Sequence, residues 1–188
     1  MKINEIFYSL QGEGRYTGTP AIFIRFAGCN LQCGFCDTKH QVGKQYTEEE
    51  ILREIASFPA KRVILTGGEP TLQLTESFIN ALHDAGYSVN VETNGTRPLP
   101  CKVDWLVCSP KAEKIVLEEV DELKVVFQTP TFDMTPYEAI PAKERYVQPC
   151  DTKDRLYNQR IINAAIDYIK ANPTWKLSLQ TQKILDIR

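Results

Sequence analysis

Short runs of apolar, β-branched and aromatic residues recur along the chain at 21–27 (AIFIRFA), 62–66 (RVILT), 88–92 (SVNVE), 104–108 (DWLVC), 122–127 (ELKVVF) and 144–149 (ERYVQP), with a shorter run at 175–179. Runs of this kind predict buried strands. Helical signals lie between them. Residues 47–58 open with Thr47-x-x-Glu50, a capping box in which each side chain satisfies a free amide of the first turn. Residues 74–85 stop before Gly86, and 154–171 stops ahead of Pro173. Strands alternating with helices predict an α/β fold on a parallel sheet, because each parallel crossover needs a helix to cover the sheet face. A closed eight-unit barrel takes about 200 residues or more, and residues 1–40 here go to an extended segment and a cysteine loop. The expected architecture is therefore an open, partial (β/α) barrel with its helices on the outside. The Pro-rich stretch 128–141 reads as one long surface loop. No repeat, low-complexity tract or linker interrupts the chain, so residues 1–188 are expected to form a single domain.

Composition narrows the class of partner. The chain is 43% hydrophobic and 24% charged, within the range of one globular domain with a sizeable core. No stretch reaches the ~18 consecutive apolar residues of a membrane helix, and the N-terminus MKINEIFYSLQGEG lacks a basic region followed by an apolar one. A soluble, cytoplasmic protein without a membrane partner is expected. The formal net charge of -2 comes from 22 basic and 24 acidic side chains without long like-charge runs. That leaves no electrostatic footprint for nucleic acid and favours a small-molecule partner. Six cysteines without a secretion signal point to metal or redox chemistry rather than disulfides.

Three of those cysteines cluster. Cys29, Cys33 and Cys36 follow directly from the strand at 21–27, on a loop at a strand's C-terminal end, where open α/β sheets bind ligands. Three thiolates can hold three irons of a cubane and leave the fourth open to a non-protein ligand, whereas an electron-carrying cluster normally uses four cysteines. The same three with His40 could instead form a structural Cys3His zinc site, as in a non-catalytic zinc-binding module, and spacing leaves both readings open. Cys101 and Cys108 are scattered and read as structural, as does Cys150 on its residues alone.

A second motif lies one strand later. Thr66-Gly67-Gly68-Glu69-Pro70 leaves a predicted strand with two glycines that let backbone approach a ligand and a carboxylate able to accept from an ammonium group. By itself it is an ordinary turn. Glu92 and Asn94 close the next strand and Cys108-Ser109-Pro110-Lys111 the one after, so polar groups collect at the same end of the sheet and favour a common pocket.

The cysteine spacing, with Phe35 before the third cysteine and the Gly-Gly-Glu-Pro element, resembles the radical S-adenosylmethionine superfamily. Further motifs narrow the likeness: Leu10-Gln11-Gly12-Glu13-Gly14, Gly18-x-Pro20, Arg25 ahead of the cysteines, Asp37-Thr38, Ser109-Pro110-Lys111, Gln148-Pro149-x-Asp151 and Leu177-Ser178-Leu179-Gln180. Together they span nearly the whole chain, which is similar to the 7-carboxy-7-deazaguanine synthase family of deazapurine (queuosine precursor) biosynthesis. The resemblance implies a barrel pared down from the usual size, a homodimer, a magnesium requirement and a reductant such as flavodoxin. It implies conversion of 6-carboxy-5,6,7,8-tetrahydropterin to 7-carboxy-7-deazaguanine with loss of ammonia, by a lyase that cleaves S-adenosylmethionine at a [4Fe-4S] cluster.

Residue by residue, the resemblance assigns the cluster to Cys29, Cys33 and Cys36 and Mg2+ to Thr38. Leu10, Gln11, Gly12, Arg25 and Thr66 go to the pterin. Gly68, Ser109, Pro110, Lys111, Gln148, Pro149, Cys150 and Asp151 go to S-adenosylmethionine. Arg25 offers a planar fork suited to the substrate carboxylate, the Gln11 amide can read a paired donor and acceptor edge, and Glu92 is a candidate for ribose contact or proton handling. Another small radical enzyme, of the glycyl-radical activating type, would share the cluster, but the Leu10–Gly14 and Gln148–Asp151 elements argue against it. The chain departs from the family pattern at Gln182, where a histidine is expected before Lys183. The stretch between Cys36 and Thr47 is also short, so little lid is expected over the cluster.

Overall fold

Among the described residues nine strands form one sheet: β1 (Lys2–Leu10), β2 (Pro20–Phe26), β3 (Lys44–Gln45), β4 (Arg62–Gly67), β5 (Ser88–Thr93), β6 (Trp105–Cys108), β7 (Val120–Phe127), β8 (Ala142–Pro149) and β9 (Trp175–Leu177). The computed structural model describes residues 1–112 and 114–188. Sheet order is β3-β1-β2-β4-β5-β6-β7-β8-β9. From β2 to β9 every pairing is parallel. At the other edge β1 runs antiparallel to both β2 and β3. The extended N-terminal segment is thus an edge element of the sheet, paired to β2 from Leu10–Pro20 to Ile3–Phe26. Among the described residues no pairing joins β9 to β3, so the barrel is open.

Among the described residues five α-helices accompany the sheet: α1 (Glu48–Ile55), α2 (Glu76–Asp84), α3 (Thr135–Glu138), α4 (Arg155–Ala171) and α5 (Thr181–Ile184). The expected capping box of α1 is formed, with Glu50 N donating to Thr47 Oγ1 at 3.2 Å and Thr47 N to Glu50 Oε2 at 2.8 Å. α1 stops before the expected end at residue 58. α4 is capped by Asp154, which accepts from Leu156 N and Tyr157 N. The Pro-rich stretch 128–141 is not loop throughout, because Pro136 falls in the first turn of the four-residue α3, where its missing N–H costs nothing. Between β5 and β6, and between β6 and β7, no helix appears among the described residues, so two crossovers are bare. No described helix is long and apolar enough to cross a membrane.

Side-chain alternation separates two surfaces of the sheet. On β2, β4 and β5 the outward set Ile22, Ile24, Phe26, Val63, Leu65, Val89 and Val91 packs against α1 and α2 through Ile51, Ile55, Phe78, Ile79 and Leu82. On β7 and β8 the set Leu123, Val125, Phe127 and Val147 packs against Ile161 and Ala165 of α4. The other face turns into the barrel. There Phe7 stacks on Phe23 with ring centroids 4.9 Å apart, beside Ala21 and Ile64. Further along β2 and β4, and on β5, β7 and β8, Arg25, Thr66, Glu92, Lys124 and Gln148 line an interior pocket.

Candidate active site

The pocket, of about 780 Å3, opens where the parallel strands end. Cys29, Cys33 and Cys36 line it on the loop that leaves β2, and Thr38 follows on the same loop. Leu10, Gln11 and Gly12 reach it from the end of β1, Arg25 from β2, Thr66 and Gly68 from β4, and Glu92 from β5. Ser109 and Lys111 arrive after β6, and Gln148, Pro149, Cys150 and Asp151 at the end of β8. Pro110 is the exception: it is buried and not among the lining residues.

The Gly-Gly-Glu-Pro turn is built differently from the sequence expectation. Glu69 is fully buried. Its Oε1 accepts from Thr71 N, Thr71 Oγ1 and Thr93 Oγ1 (2.6 Å for the last), and its Oε2 accepts from Asn94 N at 2.8 Å. Its four donors are all internal and Glu69 does not line the pocket, so the carboxylate serves the turn rather than a ligand ammonium. It fixes the turn against the end of β5. The turn is also tied to the start of the cysteine loop, because Gly68 N donates to Phe26 O at 2.9 Å and Glu69 N to Gly28 O at 2.8 Å. A Cβ on Gly68 would collide with the Gly28 carbonyl oxygen.

The thiols sense one another and a cation. Burial pushes the Cys33 thiol up, the Lys111 ammonium pulls it down, and negative charge on Cys36 and Cys29 pushes it up again. Lys111 is itself lowered, first by burial and then by Lys124, and its Nζ donates to Ser109 O (3.1 Å) and Oγ (2.9 Å). Among the described residues no three His, Cys, Asp or Glu side chains converge as one metal ion requires. The Cys3His zinc arrangement with His40 is therefore not assembled, although His40 lines the pocket with its Nδ1 buried and unpartnered. Three thiols on one loop lining the pocket fit a cubane, which would take each thiolate on a different iron.

The pocket floor is a charge network that sequence reasoning passed over. Glu13 accepts from Lys124 Nζ at 2.5 Å on one oxygen and from Gln180 Nε2 and Gln182 Nε2, each at 3.0 Å, on the other. Burial alone would raise the Glu13 carboxyl, but Lys124 and the two amides outweigh it and hold the pKa near about 2. Lys124 is raised in turn: burial opposes its charge, and Glu13, Glu92 and Glu122 more than compensate. Glu92 accepts from Gln11 Nε2 at 2.9 Å and Thr66 Oγ1 at 3.0 Å. The Gln11 amide is thus partly spent on Glu92, while its oxygen accepts from Glu13 N at 3.2 Å. On the β1 side Arg25 Nε pairs with Glu5 at 2.8 Å, and Arg188 Nη2 reaches the other Glu5 oxygen at 2.9 Å. Glu13 and Gln180 lay inside motifs that gave them no role of their own, and Lys124, Glu5 and Arg188 lay in none; the available signal for Lys124 was a charged residue at an inward strand position.

The model of the radical SAM superfamily matches residues 23–124. The 7-carboxy-7-deazaguanine synthase of Bacteroides thetaiotaomicron is 50% identical over 188 residues, covering 100% of this chain and 98% of that protein. The enzyme of the same name from Burkholderia multivorans is 39% identical, with 98% of each chain covered. The crystal structure of QueE from Escherichia coli superposes with a TM-score of 0.76 at 28% identity, over 95% of this chain and 92% of that one. The superfamily's chemistry brings a [4Fe-4S] cluster and S-adenosylmethionine, which suits the three thiols that line the pocket. Family model, full-length relatives and fold agree: the chain belongs to the 7-carboxy-7-deazaguanine synthase family of radical S-adenosylmethionine enzymes.

Proposed function

We propose that the protein converts 6-carboxy-5,6,7,8-tetrahydropterin to 7-carboxy-7-deazaguanine with release of ammonia. The observation that carries this reading is one pocket in which the three thiols share walls with Arg25, Glu92, Lys124 and Thr66. A radical centre and a polar, charge-lined substrate chamber thus meet in one cavity. Cys29, Cys33 and Cys36 would hold the [4Fe-4S] cluster, which when bound would supply the electron for reductive cleavage of S-adenosylmethionine.

The remaining residues orient and enclose. Gly68 lets backbone approach closely, and Ser109, Lys111 and the Gln148–Asp151 wall bind S-adenosylmethionine, with Pro110 shaping the chain behind them. Leu10, Gln11, Gly12, Arg25 and Thr66 hold the pterin. Arg25 retains its Nη atoms for the substrate carboxylate because Glu5 takes its Nε. Glu92, already accepting from Gln11 and Thr66, is placed to accept from ring N–H groups. Thr38 would offer one oxygen to Mg2+, a hard cation that takes oxygen ligands. Burial of Phe7 and Phe23 in the chamber wall limits water near the reacting carbon. The enzyme works as a homodimer and takes electrons from a flavodoxin-type donor.

The test is anaerobic. Protein reconstituted with iron and sulfide, reduced, and supplied with S-adenosylmethionine, Mg2+ and 6-carboxytetrahydropterin is expected to yield carboxydeazaguanine. Absence of product with an intact cluster would overturn the substrate assignment. Cys33→Ala is expected to stay colourless after reconstitution and to make no product, whereas a wild type that binds one zinc and no iron would overturn the cluster.

A further inference from the structure

We propose that Lys183 is a positioning residue that couples the cysteine loop to the far wall of the pocket through a paired contact with Asp37 and Asp151. The proposal rests on the reading of Cys29, Cys33 and Cys36 as cluster ligands and of the Gln148–Asp151 segment as a wall for S-adenosylmethionine. Neither reading assigns anything to Lys183.

The cysteine loop is poorly anchored by itself. From Leu31 to Thr38 it contains a turn at Gly34–Phe35 and no strand or helix. Its hydrogen bonds are internal: Leu31 N to Cys29 Sγ, Cys36 N to Cys33 O, and the Cys36 thiol to Thr38 O. The ends are held, by Asn30 between Thr96 and Asn94 on one side and by Asn4 donating to Lys39 O on the other. Between those ends, one ion pair ties the described residues 31–38 to another element: Lys183 Nζ to Asp37 Oδ2 at 2.9 Å.

Lys183 is well placed to act as that tie. The same ammonium lies 3.3 Å from Asp151 Oδ2 and 2.8 Å from Gln180 Oε1. Both partners are fixed points. Asp151 also accepts from Lys153 N at 2.9 Å and Asn158 Nδ2 at 2.8 Å, at the entry to α4. Gln180 is held by Glu13. An ammonium has three donors, and here three oxygens from three segments receive them. Asp37 lies between Cys36 and Thr38, so one side chain links the sulfur ligands and the Thr38 oxygen to the opposite wall. Asp37 is about half exposed, which screens the pair and limits it to an effect on loop population rather than on global stability.

Holoenzyme variants test this by spectroscopy. Lys183→Met is expected to release iron to a chelator about two- to fivefold faster than wild type, the span an exposed ion pair commands. It should need about two- to fivefold more S-adenosylmethionine to complete the change that this ligand causes in the electron paramagnetic resonance spectrum of the reduced cluster. Lys183→Arg, which keeps the charge, should restore both, and added salt should shrink the difference between wild type and Lys183→Met. Lys183→Gln, which keeps a polar side chain without the charge, should behave like Lys183→Met and covers the case in which the latter folds poorly. Unchanged iron release and unchanged ligand titration in folded Lys183→Met or Lys183→Gln would overturn the proposal, as would a Lys183→Arg protein as impaired as Lys183→Met. A wild type whose spectrum responds to S-adenosylmethionine but which makes no product would count against the pterin reading alone, since the variant comparison needs no pterin.

Discussion

Gly68 shows how tightly single positions constrain the site. Its Cα faces the Gly28 carbonyl so closely that a methyl group must displace backbone rather than a flexible side chain, and that backbone leads straight into Cys29. Gly68→Ala is therefore expected to lower iron retention after reconstitution and to cut activity by at least tenfold, since about 1.4 kcal/mol of misplacement at a reacting geometry already has that effect. Iron and sulfide content per chain, measured beside product formation, checks both halves; full iron with full activity would show that the loop can yield. Glu69, beside it, illustrates the limit of motif reading. The motif located the turn, but the carboxylate's partners Thr71, Thr93 and Asn94 assign it to scaffolding. The same limit hid Glu13 and Lys124, which are 111 residues apart in sequence and become a pair only when β1 and β7 share an interior.

At the scale of elements, α4 offers the cleanest test because its start is set by one side chain. Asp154 Oδ1 accepts from Leu156 N at 3.0 Å and Tyr157 N at 3.1 Å. Asp154→Ala is expected to destabilise the protein by about 1 kcal/mol, the usual worth of an N-cap, read as a lower denaturation midpoint with unchanged slope. Elements of this sort were legible in the sequence because their signals are local: the apolar runs, the Thr47 capping box and the Gly86 and Pro173 stops all correspond to observed strands and helices. What was not legible depended on distant partners. β3 is two residues long and exists because Lys2 and Ile3 of β1 offer it a ladder. α5 spans four residues and is held through Gly12, whose carbonyl accepts from Thr181 N and Oγ1. β9 stops at Leu177, short of the apolar run's end, because Ser178 turns inward to donate to Gln148 Oε1 at 2.9 Å.

For the whole molecule, the open barrel is fastened across its interior rather than by a strand pair. The segment after β1 enters the barrel, where Gly14 sits against Glu122 and Arg15 pairs with Glu144, while the segment after β9 returns to meet it at Glu13. Glu13 is thus the knot, and its protonation should loosen it. Its pKa is about 2 in the folded protein against 4.5 for a free carboxyl. A depressed carboxyl contributes stability that is fully present above the unfolded value and is lost as pH falls through the folded one. Protein without cluster should therefore lose on the order of 3 kcal/mol of unfolding free energy from this group between pH 4.5 and about 2. Glu122 has the opposite sign, because burial raises its pKa above 4.5 even though Lys124 pulls it down. It takes up its proton at higher pH and adds stability as pH falls towards 4.5, whereas the loss due to Glu13 begins near 4.5, the value of its free carboxyl. Urea unfolding between neutral pH and pH 2.5 measures the curve. Lys124→Met removes the cation that holds Glu13 ionised, leaving burial to raise its carboxyl, so the variant should be less stable at neutral pH and its loss of stability below pH 4.5 should disappear. An acid limb of undiminished depth in that variant would mean that Gln180 and Gln182 hold the Glu13 charge by themselves, and that the barrel is closed by hydrogen bonds rather than by the buried ion pair.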